Sequence, residues 1–348
     1  MNKNELTLAD LGEKRIIREI IRPACRSDSI NVGVGDDAAV VSFPSDRRLV
    51  ISTDKIPEDL LAIQLGLMDA FHHGRYLATV NISDIAAMGG QPLGLLCTLA
   101  LPESFKVEYL RSFIAGFVAG GAEWDTPVVG GDTGWGSSVC VSATAFGSIE
   151  LNNALVRTGA TVGDLIFVSG NVGGFGTALA YFIVARSRGL RLSESEESWL
   201  RERLIRPIAR VDVGRALLAS SICTSCIDIT DGVGQSLREI AEASRVCLQV
   251  DADAIPVHPV TLKVADFLGC GVETIVFGIG LDLELLGTVR AKQSLTMPHG
   301  LQYFGTVVEG DPGVIINYGD RKGTLPVAGW QHFKGAAMDL VRHMYGGM

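Results

Sequence analysis

Asn81-Ile82-Ser83-Asp84 sits inside a small-residue, mostly apolar run, Gly74 to Met88, that reads as a buried helix. Four further settings of small residues also carry aspartates. They are Asp36 and Asp37 in Gly33-Val34-Gly35-Asp36-Asp37, Asp54 in Ser52-Thr53-Asp54, Asp132 in Gly130-Gly131-Asp132, and Asp228 with Asp231 in Asp228-Ile229-Thr230-Asp231-Gly232. Most follow an apolar run with strand character, so the carboxylates are expected at strand ends, where loops can bring them together. Carboxylates held that closely repel one another unless cations lie between them. Hard oxygen ligands without an accompanying Cys or His set point to magnesium, which is usually bound by one or two carboxylates plus substrate phosphates. The expectation is a site for a magnesium–nucleotide complex.

Outward from that helix, Leu93 to Leu101 reads as a strand ended by Pro102, and Val107, Leu110, Phe113, Ile114, Phe117 and Val118 keep helical spacing. Val40-Val41 and Leu49 to Ser52 read as paired strands around the turn Pro44-Ser45-Asp46-Arg47. Val128-Val129 leads into a Gly-Gly-Asp turn, and Val139 to Phe146 alternates like a strand. Leu8 to Ile21 reads as a helix stopped by Pro23. The texture changes near Gly147 to Val156. Beyond it come a strand, Leu165 to Val168, a glycine loop, Ser169 to Gly176, and helices at Thr177 to Arg188 and Ser193 to Arg203. A further helix face follows Asp231-Gly232 at Val233, Leu237, Ile240 and Ala241. Each half mixes strands with helices, so the expectation is two α+β domains, residues 1–150 and 151–348.

The chain has 348 residues, 47% of them hydrophobic, and a net charge of −9. That charge argues against a nucleic-acid binder, which usually shows a basic face. No unbroken apolar run reaches the roughly 18 residues of a membrane span. Met1 to Glu19 carries Lys3, Glu5, Asp10, Glu13, Lys14 and Arg15, unlike a signal or transit peptide. Seven scattered cysteines suit a reducing cytoplasm rather than a disulfide framework. Cys223-Thr224-Ser225-Cys226 has no second pair nearby, and we read it as two small apolar side chains on the strand leading into Asp228.

The glycine loops invite a nucleotide reading, yet no G-x-x-x-x-G-K-[ST] occurs, and no protein-kinase, H-E-x-x-H or G-x-S-x-G signature. Gly170 to Gly176 has the wrong spacing for G-x-G-x-x-G. It reads either as a phosphate cradle at a helix start or as a tight turn. His72 and His73 are adjacent, would point to different helix faces, and read as polar surface residues rather than metal ligands.

Taken in order, GVGDDA from Gly33, STD from Ser52, NISDIAAMGGQP from Asn81, LALP from Leu99, GGDT from Gly130, RTGA from Arg157, Arg206-Pro207, IDITDG from Ile227 and GWQHF from Gly329 resemble the thiamine-monophosphate kinase family, within the aminoimidazole-ribonucleotide synthetase superfamily. The resemblance runs from Glu13 to Phe333 and is weakest between Val246 and Pro326. It implies an α/β fold of two domains, a homodimer formed through the N-terminal domains, and ATP bound near that interface. Magnesium ligands are implied at Asp37, Ser52, Thr53, Asp54, Asp84, Asp132, Asp228 and Asp231. Nucleotide contacts are implied at Gly131, Asp132, Arg157 and Thr230. Asp36 carries no ligand role and is read as part of its turn.

On the acceptor side this chain departs from the family it resembles. A substrate-contacting His of that family aligns with Leu61, and its Gly-Gly-Glu-Asp-Tyr-Glu-Leu motif stands here as Ile279 to Leu285, with Leu281 in place of a substrate-contacting Glu and Leu283 in place of Tyr. The aromatic that contacts thiamine is kept as Trp330. The implied activity is transfer of the ATP γ-phosphate to a phosphomonoester, thiamine monophosphate or a related metabolite. No catalytic base is named, because a phosphate acceptor is already a competent nucleophile. Two other readings use the same site: a synthetase that activates an amide or carboxyl oxygen with ATP, and a nucleotide-binding protein without catalysis. Lys55 is read as a solvated surface lysine that could instead meet an acceptor phosphate.

Overall fold

The computed structural model describes residues 30–32, 37, 39–42, 46–56, 60–151, 154–291, 300–319 and 321–325. The Leu8 to Ile21 helix, Asp36 and Trp330 lie outside the described residues. Strands β1 (Ile30–Val32), β2 (Ala39–Ser42), β3 (Arg47–Ile56), β4 (Gln91–Leu101), β5 (Val128–Trp135) and β6 (Cys140–Glu150) make one sheet in the order β1-β2-β3-β6-β4-β5. As the pattern suggested, β2 and β3 form an antiparallel pair, with Val41 opposite Leu49 and Val40 opposite Val50. A second sheet is built from β7 (Leu165–Val168), β8 (Cys223–Asp228), β9 (Cys247–Asp251), β10 (Leu285–Val289), β11 (Gln302–Val308), β12 (Gly313–Tyr318) and β13 (Arg321–Thr324). Its order is β13-β12-β9-β11-β7-β10-β8.

After the short α1 (Leu61–Gln64), helix α2 (Ala70–Ala87) holds the centre of the molecule. It is almost wholly buried: Leu77, Ala78, Ile82, Ile85 and Ala86 fill the core, while Thr79, Asn81 and Ser83 are buried polar residues. Such all-round burial leaves no polar stripe, which is why its sequence reads as uniformly small and apolar. Asp69 caps it by accepting from His72 N. One side of α2 rests on β3, β4 and β6, and another on α3 (Val107–Ala122). The α2–α3 approach is close enough that a Cβ at Gly74 would stand 1.8 Å from the Phe113 carbonyl oxygen. His73 is buried in this contact, against expectation. Its Nδ1 pairs with Tyr109 Oη at 3.0 Å and its ring meets Phe113 edge-on.

On its remaining side α2 meets the second half through α6 (Val211–Ser220) and β8. Two arginines reach across that seam. Arg75 Nε and Nη2 bond the Glu123 carboxylate at 2.7 and 2.6 Å, and Arg75 Nη1 donates to Pro207 O. Arg215 from α6 likewise spans Glu150 and Gly89 O. In the second half come α4 (Gly174–Leu179), a π-helical turn (Ala180–Ala185), α5 (Glu194–Ile205) and α7 (Val233–Ser244). They are followed by α8 (Pro259–Leu268) and α9 (Val272–Val276). The helix expected from Thr177 therefore starts at Gly174 and loosens into the π turn. The Gly-Gly-Asp segment is no turn either: β5 runs straight through it to Trp135.

Candidate active site

Carboxylates from three segments meet where the two halves join. Asp37, Asp84 and Asp228 each place an oxygen within 4.8 Å of the other two. Asp228 is the last residue of β8, as expected of a strand end, whereas Asp84 comes from within α2. Hydroxyls hold the group in place. Ser52 Oγ donates to Asp84 Oδ2 at 2.5 Å and to Asp37 O at 3.1 Å, and Ser83 Oγ donates to Asp228 Oδ2 at 2.5 Å. Asp54 lies inside β3, not at its end, and its backbone N–H is fixed by Asn81 Oδ1 at 2.9 Å. Asn81 is held in turn by Leu77 O.

Electrostatics set these carboxylates against one another. Burial, followed by the charges of Asp228, Asp37 and Asp54, pushes Asp84 well above the usual carboxylate range, with only Ser52 pulling it back. Burial and Asp37 push Asp228 up to about 8, opposed by Ser83 and Arg157. A divalent cation removes that conflict, and an all-oxygen donor set suits magnesium.

Arg157 donates one end of its guanidinium to Asp37 and another to Glu239, so it bridges one carboxylate of the cluster to a helix of the second half. Glu239, on α7, escaped the sequence reading. Its one signal is the i,i+4 spacing from Gln235, which donates to it at 3.1 Å. Thr230 and Asp231 follow Asp228 in a turn closed by Gly232 at φ +95°, where a Cβ would meet Gly278 O at 2.0 Å. Only glycine serves there.

Other expected ligands are not drawn into the three-carboxylate group. Asp132 pairs across the sheet with Thr98, Thr98 with Ser142, and Ser142 with Lys55. Directly paired residues share a face, so Asp132 lies with Lys55 on the exposed side, opposite Asp54. Two strands, β6 and β4, also separate β5 from β3, about 14 Å at the usual strand spacing. Gly131 precedes Asp132 on that exposed strand. Thr53 faces the same way, its Oγ1 donating to Ala143 O at 2.8 Å.

The glycine loop resolves as a turn. Asp282 takes two N–H groups at the start of α4, Gly173 N at 2.7 Å and Phe175 N at 3.0 Å. Leu61 is buried at the start of α1, and Leu281 packs against the same apolar core. Cys223 and Cys226 lie on β8 as read, the second fully buried.

Two α/β halves with carboxylates gathered at their seam define the class of fold, and residues 35–149 match the family described as AIR synthase related protein, N-terminal domain. Thiamine-monophosphate kinase of Pyrococcus horikoshii is 31% identical, covering 94% of this chain and 98% of its own. That of Bacillus subtilis is 30% identical over 93% and 100%. The solved structure of AaThiL complexed with AMPPCP and TMP superposes with a TM-score of 0.79 at 26% identity, covering 94% of this chain and 99% of that one. The chain belongs to the thiamine-monophosphate kinase family.

Proposed function

We propose that this protein is a magnesium-dependent ATP phosphotransferase whose acceptor is a phosphomonoester, thiamine monophosphate first among the candidates. The observation that carries this reading is the meeting of Asp37, Asp84 and Asp228 around one point at the seam. The AMPPCP and TMP held by the similar solved structure support a site for nucleotide and phosphomonoester side by side. In this reading Asp37, Ser52, Thr53, Asp54, Asp84, Asp132, Asp228 and Asp231 hold magnesium. Gly131, Asp132, Arg157 and Thr230 hold the nucleotide, and Trp330, Leu61 and Leu281 border the acceptor. Magnesium, when bound, neutralises charge that builds up on the transferred phosphoryl group.

The chain's own part is alignment. Ser52 and Ser83 fix the oxygens of Asp84 and Asp228, and Arg157, clamped by Glu239, offers a cation to nucleotide phosphate. Phosphoryl transfer asks little covalent work of protein groups, so an anionic acceptor needs no base.

Residues 1–150 act here as the nucleotide and dimerisation domain and 151–348 as a second α/β domain. Exposed Leu93, Leu96, Ile114, Val118, Val129 and Trp135 support pairing of two copies through the first domain. Asp132 and Gly131 stand on the same exposed strand as Val129 and Trp135, so a homodimer accounts for their distance from the cluster of their own chain. Among the described residues no helix is long and apolar enough to cross a membrane, and the reading places the enzyme in the cytoplasm.

The test is turnover of purified protein with magnesium, ATP and thiamine monophosphate, followed by phosphorus NMR. Thiamine diphosphate and ADP are expected. ADP release without a new diphosphate, or no ADP at all, would overturn the acceptor assignment.

A further inference from the structure

Arg157 is tied to α7 through both its backbone and its side chain. At the end of the helix, Ser244 Oγ donates to Arg157 O at 3.1 Å and accepts the N–H groups of Gly159 and Ala160 at 3.1 and 3.2 Å. Just over one turn earlier, Glu239 takes Arg157 Nη1 on Oε2, while its Oε1 receives Gln235 Nε2 at 3.1 Å. A further attachment crosses to the other half of the chain, where Arg157 Nη2 donates to Asp37 Oδ1. Asp37 is also one of the three carboxylates that meet at the seam, and its side chain is 4% exposed. A carboxylate so deeply placed calls for a cation. Arg157 and a magnesium ion therefore draw on the same group, and being both positive they repel one another there. They are unequal competitors. Magnesium requires a near-octahedral set of oxygens, whereas a guanidinium is weakly hydrated and carries five donors, so it gives up one partner while keeping another.

We propose that Arg157 is an exchangeable counter-ion: it holds Asp37 before metal binds, yields that carboxylate to magnesium, and turns the released arm of its guanidinium to nucleotide phosphate. Glu239 is the positioning residue of this exchange. It keeps the other arm on α7, and Ser244 keeps the backbone there, so Arg157 changes one partner without leaving the seam. A planar fork that holds a carboxylate on one side matches phosphate oxygens on the other. The inference rests on the phosphotransferase reading and adds an order to it, metal before nucleotide.

The experiment follows the reactivity of Arg157 toward phenylglyoxal in the wild-type protein, read by peptide mass spectrometry in chelator, in magnesium alone, and in magnesium with AMPPCP. Arg157 should be shielded in chelator, react several-fold faster with magnesium, and be shielded again by AMPPCP. Arg75 and Arg215, bonded to Glu123 and Glu150, should keep one rate throughout. Calorimetric titration with magnesium alone supplies the second readout. Arg157→Gln removes the competing cation and should bind magnesium roughly tenfold more tightly than wild type. Glu239→Gln leaves Asp37 a larger share of the guanidinium and should bind it more weakly. A merely structural Arg157 predicts the opposite sign, since its loss would loosen the site and weaken the metal. Equal or weaker magnesium binding by Arg157→Gln overturns the exchange. Bound magnesium that leaves Arg157 shielded also overturns it, and the phosphotransferase reading then still stands. A wild type that binds no magnesium overturns both. Should Arg157→Gln fail to fold, the wild-type labelling alone decides.

Discussion

Ser83 Oγ donates a 2.5 Å hydrogen bond to Asp228 Oδ2, tying the C-terminal third of α2 in one half of the chain to the end of β8 in the other. Both groups are buried, so the bond holds a carboxylate at the seam where solvent gives no help. Ser83→Ala leaves that oxygen without its donor, and a buried acceptor left unsatisfied costs about 1–3 kcal/mol. Urea unfolding should show a stability loss of that order. An unchanged midpoint would mean that the bond contributes nothing net.

For both Asp84 and Asp54, holding the fold can be separated from holding charge. Asp84 accepts from Ser52 within the cluster, and Asp54 lies beside it on β3. Neither is required by a hydrophobic contact, so Asp84→Asn and Asp54→Asn should keep native circular dichroism. Each should lower turnover on the order of 100-fold or more, the scale on which aligned charge-stabilising groups act. A variant with near-normal turnover would remove that residue from the proposed metal set.

Asp228 carries the metal-dependence prediction. Its folded-state pKa is raised to about 8 by burial and by Asp37, far above its unfolded value. Between the two values the folded state holds the extra proton, so stability of metal-free protein falls as pH rises from about 4 to about 8. Melting in a chelator should show that slope, flattened in Asp228→Asn, which also removes one of the repelling charges. Magnesium should raise the melting temperature of wild type most at the alkaline end, and much less in Asp228→Asn. A magnesium effect equal in both proteins would count against the site.

Much of this was legible before any coordinates. The β2–β3 pair declared itself through a polar turn between two short apolar runs, and α2 through its length of small residues. Of the strand-end carboxylates, Asp228 emerged as read. Asp54 and Asp132 did not, because a short apolar run shows that a strand is present but not where pairing ends. The face of Asp132 was hidden for a related reason: side-chain direction follows from register with β4, a partner about thirty residues away in sequence. Asp282 was invisible as a cap because the N–H groups it accepts lie more than a hundred residues earlier, at Gly173 and Phe175. His73 was misread by an inference that fails on a helix buried on every side, where no face is left for solvent.

That burial makes His73 a titration probe independent of the metal site. Desolvation lowers its pKa to about 4, its Nδ1 bonds Tyr109 Oη, and its Nε2 has no partner among the described residues. Here the sign is opposite to that of Asp228. Below about 6.5 the unfolded chain takes up the proton first, so stability is lost as pH falls from about 6.5 to about 4, by about 3 kcal/mol in all. His73→Gln keeps a polar partner for Tyr109 without titrating. Unfolding free energies of the two proteins, measured in a chelator from pH 7 to pH 4, should therefore converge or cross as pH falls, the variant losing less. Parallel curves would show that the imidazole is reached by protons in the folded state, and that the α2–α3 contact opens more readily than its packing implies.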